Sequence, residues 1–255
     1  MSEQTFHTPL PLELDVNIPA GDVHVETVDG EQSTIVLDGD EKLLEHMVVE
    51  QEGNRLVVAF RGKKPFGITI AIGTFTFGSD GIRVRARVPH GAAASVTTAS
   101  ADLTVQGRVR TLAVKTASGD VRLRGEVEQD ADVKTVSGDA HLDRVGGDVR
   151  LQTVSGDGSL GSVGGSVEAK SVSGDLRVDS VREGTASFTS VSGDVEFGIA
   201  PGSLLDVDAG SVSGDLSSEV PLGSDPAALG GEDGPTVVLR GKTVSGDVKV
   251  FRAVL

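Results

Sequence analysis

The sequence predicts an all-β protein, a parallel β-solenoid (β-helix) of ~18-residue coils with a less regular capping region at its N-terminus. Three observations carry this expectation. Ser-Gly-Asp recurs at near-constant spacing, aliphatic residues alternate on either side of it, and glycine is abundant (34 residues) while Trp, Tyr and Cys are absent.

The recurrence comes first because it sets the architecture. Ser-Gly-Asp begins at Ser118, Ser137, Ser155, Ser173, Ser192, Ser213 and Ser245, and a degenerate copy, Ser100-Ala101-Asp102, precedes them. The aspartates at 102, 120, 139, 157, 175, 194 and 215 are 18, 19, 18, 18, 19 and 21 residues apart, and a last step of 32 leads to Asp247. Half-copies, GGDVRL at 146–151 and GGSVEA at 164–169, fall midway. Each nine-residue half therefore reads as a strand and a corner, and two halves close one circuit.

Alternation identifies the strands. Val149 and Leu151 flank Arg150, and Leu176 and Val178 flank Arg177, as one buried face requires. Gly119, Gly138, Gly156, Gly174, Gly193, Gly214 and Gly246 supply the turns, since glycine accepts positive φ and the following Asp can bond nearby backbone N–H groups. One circuit cannot bury its apolar face alone. Stacking circuits about 4.8 Å apart buries a continuous Val/Leu core.

Residues 1–95 are less regular and are expected to cap the solenoid, or to form a small sandwich, with the repeat occupying 96–255. LELDVNIPAGDVHVETVDG carries the same device at Gly21-Asp22; STIVLDG, NRLVVAF, GITIAI and GIRVRARV read as strands, and DEKLLEHM as at most two helical turns. PLGSDPAALGGEDGP (221–235) reads as an exposed loop inserted in the repeat, after which TVVLRGKTVSGDVKVF rejoins the stack.

The repeated T-V-S-G-D-V/L units from Thr116 to Val248, with the opening FHTPLPLELDVNIPAGDVHVE, resemble a bacterial β-strand-repeat family of unknown function, labelled "putative adhesin" and also called the Toastrack type. The resemblance covers nearly the whole chain. It implies the β-strand-repeat fold and, by the family's label, an adhesin-like role, and says almost nothing about chemistry. In that family the domain is often joined to membrane segments and associated with envelope-stress systems.

Composition narrows the function classes. A net charge of −15 repels nucleic acid and anionic lipid and favours cationic partners. No apolar run is long enough to span a membrane, the first residues form no secretory signal, and no thiol chemistry is available, so a cytoplasmic location is expected.

No catalytic residue and no cofactor are expected. His7, His24, His46, His90 and His141 are scattered without zinc spacing, and no G-x-S-x-G elbow or P-loop is present. Polysaccharide lyases and glycosidases need two carboxyls across a groove, usually with aromatic platforms that this chain lacks.

Two features invite a binding reading. Asp120, Asp139, Asp157, Asp175 and Asp194 stack into a column whose neighbours repel by roughly 0.9 kcal/mol in water. The expectation is that each carboxylate accepts N–H bonds within its own turn, aided by the adjacent Ser hydroxyl. The alternative is a Ca²⁺ column of the RTX β-roll kind, although Gly here directly precedes Asp, unlike G-G-x-G-x-D. Phe66, Ile68, Ile70, Ile72, Phe75 and Phe77, within PFGITIAIGTFTFG, form either an edge or core strand pair or an apolar patch for a partner or for self-association. Arg83, Arg85 and Arg87 alternate with apolar residues as a solvated strand face.

The expected function is thus a non-enzymatic scaffold that binds another protein or itself. A bactofilin-like polymer and a Ca²⁺-binding module are the alternatives.

Overall fold

A computed structural model describes residues 1–61, 81–220 and 234–253 of the 255-residue chain. The first strands are β1 (Ser2–His7), the long β2 (Glu13–Val28) and β3 (Gln32–Asp38), then one helical turn, α1 (Glu41–Leu44). β4 (Met47–Glu52), β5 (Arg55–Phe60), β6 (Ile82–Pro89) and the long β7 (Ala93–Val109) follow.

The repeat then supplies short strands in pairs. They are β8 (Thr111–Lys115) and β9 (Val121–Val127), β10 (Ala131–Lys134) and β11 (Ala140–Val145), and β12 (Val149–Gln152) and β13 (Gly158–Val163). β14 (Val167–Lys170) and β15 (Leu176–Val181), then β16 (Gly184–Thr189) and β17 (Val195–Ile199), continue the series. Last come β18 (Leu204–Ser213), β19 (Leu216–Ser218), β20 (Thr236–Ser245) and β21 (Val248–Arg252).

Each circuit has two strands and two corners, so the repeat builds two parallel ladders, which the long β2 and β7 join into one continuous sheet. β10 pairs in parallel with β8 and β12, while β11 pairs with β9 and β13. In register, Leu123, Leu142, Leu160, Val178, Phe197 and Val250 form one inward row, all buried. Val114, Val133, Leu151, Ala169 and Phe188 form a row in the facing ladder.

Burial of each Val, Leu or Phe contributes about 1.5–3 kcal/mol, and such rows drive the stacking. Volumes alternate to fit. Leu151 fills the space a side chain at Gly158 would need, and the Phe188 ring lies where one at Gly241 would stand.

The coils do not stack in sequence order throughout. β16 pairs with β20 and β20 with β18, while β17 pairs with β21 and β21 with β19. The chain therefore lays down the end coil, β18 and β19, and then returns to insert β20 and β21 inside it. Polarity accounts for the order: Val237, Leu239, Val248 and Val250 of the inserted coil are fully buried. The end coil carries Asp206, Asp208, Ser217 and Ser218, which suit a terminal surface.

At the other end, β2 is itself a coil stacked on β7, with Gly21-Asp22 beside Ala101-Asp102. β5 and β6 lie on its outer side, and β4, β3 and β1 close that end with antiparallel pairings. One apolar core runs from Leu12 to Val250 without interruption. The arginine row is solvated and paired: Arg83 reaches Asp38 at 3.1 Å and Asp22 at 3.7 Å, and Arg87 reaches Glu26 at 2.8 Å. Arg85 lies in register between His24 and Val36.

Candidate interaction ridge

The Ser-Gly-Asp corner is where the repeat shows its chemistry. Counting outward by twos from buried Val133 places Thr135 inside and Val136 outside, and the structure follows that count. Thr98, Thr116, Thr135, Thr153, Ser171, Ser190 and Thr243 are the buried hydroxyl column. The residues after the last five of these, Val136, Val154, Val172, Val191 and Val244, point outward, with exposures of 52, 45, 48, 47 and 51%. Val212 of the end coil is 82% exposed.

The pairings Ser137–Ser155–Ser173–Ser192–Ser245–Ser213 set these valines one above another. Six valines thus form a ridge about 24 Å long at the usual strand spacing.

From Gly119 onward glycine is required at the bend for two reasons, whereas Ala101, inside β7, holds the same column without a positive φ. At Gly174, φ is +136°, and a Cβ would stand 2.2 Å from the carbonyl oxygen of Gly156 in the adjacent coil. The same column continues through Gly119, Gly138, Gly193, Gly246 and Gly214, each resting on a neighbouring glycine or, at Gly119, on Ala101.

The aspartates connect coils. Asp120 N–H donates to Asp102 Oδ1 (2.9 Å), Asp139 to Asp120 (3.0 Å), Asp157 to Asp139 (2.9 Å), Asp175 to Asp157 (2.9 Å) and Asp194 to Asp175 (2.8 Å). Asp247 donates to Asp194 and Asp215 to Asp247, both at 2.9 Å, reproducing the inserted coil order.

The sequence led to the expectation of bonds within each turn, assisted by the Ser hydroxyl. Both parts need correction. From Asp120 to Asp194 the turned peptide aims its N–H at the preceding coil, where the carboxylate takes the acceptor's place. The hydroxyls that serve the corner belong to the inward column, as when Thr116 donates to the Ser118 carbonyl at 3.1 Å. The opposite corner repeats the device: Asp148 N–H donates to Asp130 Oδ1, Ser166 N–H to Asp148 Oδ1, and Thr185 N–H to Ser166 Oγ.

Electrostatics separate the ridge from the flat faces. On the faces cations meet acids: Arg150 and Lys170 hold Glu168 at 2.9 and 2.6 Å, Arg108 holds Glu128 at 3.0 Å, and Arg177 holds Asp179 at 2.7 Å and also pairs with Glu196. The hydrogen bonds from Lys170 and then Arg150 hold the Glu168 carboxyl below its usual range. Along the ridge, Asp120 pairs with Arg122 at 2.6 Å. Asp102, Asp139, Asp157, Asp175, Asp194, Asp247 and Asp215 make no ion pair among the described residues.

The remaining candidates do not converge. His141 is exposed and 3.1 Å from Asp143, His90 contacts Thr27 at 2.6 Å, and His46 meets the Phe60 ring edge-on at 5.8 Å. No group of three or more His, Asp or Glu among the described residues is arranged to hold a metal ion. No helix among them is long and apolar enough to cross a membrane. Phe66, Ile68, Ile70, Ile72, Phe75 and Phe77 lie outside the described residues, as do residues 221–233 of the loop expected at 221–235.

The profile of the Toastrack DUF4097 family matches residues 12–251. Similar solved structures include a "putative lipid binding protein" from Parabacteroides distasonis, 15% identical over 98% of this chain and 96% of that one, with a TM-score of 0.59. Another is a "putative adhesin" from the same species, 16% identical over 98% and 96%, with a TM-score of 0.53. At these identities the likeness is one of fold. No curated protein matches the sequence.

Proposed function

Given that the chain belongs to the Toastrack DUF4097 family, we propose that it is a non-enzymatic, adhesin-like scaffold that binds another protein along the valine ridge. One observation carries this reading: an outward valine recurs in six successive stacked coils. Scattered apolar residues on a surface are ordinary, whereas an aligned row is a surface prepared for cover. Covering the half-exposed part of each valine is worth about 1 kcal/mol, so the row supplies useful affinity only as a set. The adhesin description of the Parabacteroides relative agrees in kind.

The absence of cysteine provides the test. A photo-crosslinker on Val154→Cys captures a partner from native lysate, one on Arg150→Cys of the flat face does not, and Val172→Ser in the Val154→Cys background suppresses capture. Equal capture from both positions would overturn the reading.

A second reading, end-to-end assembly, draws on the outer edge of β18 and β19, which pairs with no further strand among the described residues. There Leu216 is 41% exposed. Light scattering that shows only monomers at high concentration would remove it.

A further inference from the structure

We infer that the occupant of the ridge is a cationic amphipathic α-helix lying along the solenoid axis, with its apolar stripe on the valines and its basic flank on the aspartate column. The inference rests on the ridge being an interaction surface and assigns its partner's chemistry.

Spacing selects the helix. Outward valines recur about every 4.8 Å, one per coil. On a helix, apolar residues at i, i+3 and i+7 recur every 4.5–6 Å along the axis, and roughly 16 residues span the whole ridge. An extended strand presents same-face side chains every 6.6–6.8 Å or so and falls out of step within two valines.

Charge selects the sign. Three residues beyond each valine stands an aspartate, and seven of the column's eight carboxylates lack an ion pair among the described residues. Lys115, Lys134, Lys170 and Lys242 lie on the other side of the ridge, two residues before Ala117, Val136, Val172 and Val244. Of these, Lys134 and Lys170 are engaged by Asp132 (3.3 Å) and Glu168 (2.6 Å). The ridge is therefore acidic on one flank and basic or neutralised on the other, which fixes how a helix with one basic flank sits. A second copy of this chain fits poorly: a two-fold axis across the ridge would oppose the aspartate columns, one along it would offer them lysines of which Lys134 and Lys170 are already engaged, and the chain carries −15 overall.

The experiment uses the full chain and a synthetic peptide of roughly 18 residues with leucines at i, i+3, i+4 and i+7 and lysines on one flank, long enough to span the ridge. A control peptide replaces every lysine with glutamate. Affinity is measured by fluorescence anisotropy at low and high salt.

The lysine peptide is expected to bind, to weaken about tenfold at high salt, and to weaken at least as much with Val154→Ser/Val172→Ser or with Asp157→Asn/Asp175→Asn. Asp130→Asn/Asp148→Asn at the opposite corner should leave its affinity unchanged. Equal loss from that pair, or no loss from the valine pair, would show only diffuse attraction to an acidic protein and overturn the inference. Equal binding of the glutamate peptide, or of neither peptide while the crosslinker on Val154→Cys still captures a partner, would overturn the assigned chemistry and leave the interaction surface standing. Melting curves confirm that every variant is folded.

Discussion

The backbone N–H of Asp175 donates to the carboxylate of Asp157, 2.9 Å away and one coil earlier. A side chain from one repeat thus completes the backbone bonding of the next. Each corner aspartate is a staple between neighbours as well as a charge at the surface.

The staple needs an acceptor oxygen at Oδ1 and no negative charge. Asp157→Asn keeps that oxygen and is expected to change stability by less than about 0.5 kcal/mol, whereas Asp157→Ala loses about 1 kcal/mol because the Asp175 N–H loses its partner. Chemical denaturation of the two variants checks the ranking. A larger loss from Asn than from Ala would contradict the bonding described.

Stacked glycines leave no room for a methyl group. Gly174→Ala brings a Cβ to 2.2 Å from the Gly156 carbonyl oxygen at a φ of +136°. A loss of about 3 kcal/mol or more is expected, from strain and displaced coils together. Gly202, with nothing within 4 Å of its would-be Cβ, serves as the comparison. Its φ of +83° makes Gly202→Ala mildly unfavourable but without the clash.

Interior charge should be worse still. Leu151→Asp places an unpaired carboxylate between Val133 and Ala169, against the space above Gly158. The expected loss exceeds about 4 kcal/mol, enough to melt several coils, and is read as lost β-signal at 25 °C by circular dichroism. Val154→Ser, on the outside, should leave melting nearly unchanged.

A pH dependence follows from Glu168. Its folded pKa is depressed by Lys170 and Arg150, so its contribution is present above the ordinary glutamate range and is lost as pH falls through the lower folded value. The carboxylate is solvent-exposed, so the effect is small. The melting difference between wild type and Glu168→Gln should shrink as pH drops below that range. A difference that grew instead would reverse the sign.

Much of the solenoid was legible because its signals are strictly local. Alternation around Arg150 and Arg177 gave the inward rows, and the eighteen-residue step gave the stacking. What escaped depended on context. The outward position of Val154 is visible only by counting past the strand from Val149, Leu151 and Thr153, because Gly156 then breaks the period. β4 hides its strand character in MVVEQE, whose residues are half-buried or exposed. The site of the Asp157 bond depends on where the next coil lies, which one repeat cannot report. Nor does spacing reveal that residues 236–252 sit inside residues 204–218. The cue was compositional, in the apolar TVVL against LLDVDAGS.

That inverted order gives the molecule a fastening. A polypeptide leaving the ribosome presents Leu204–Ser218 before the segment that must lie beneath it, so the closing layer has no seat until the final stretch has threaded home. Cleaving the chain between residues 220 and 234 should therefore leave a protein still held together. Deleting everything beyond residue 234 removes the penultimate rung and unseats the cap with it, a loss of two layers from a single cut.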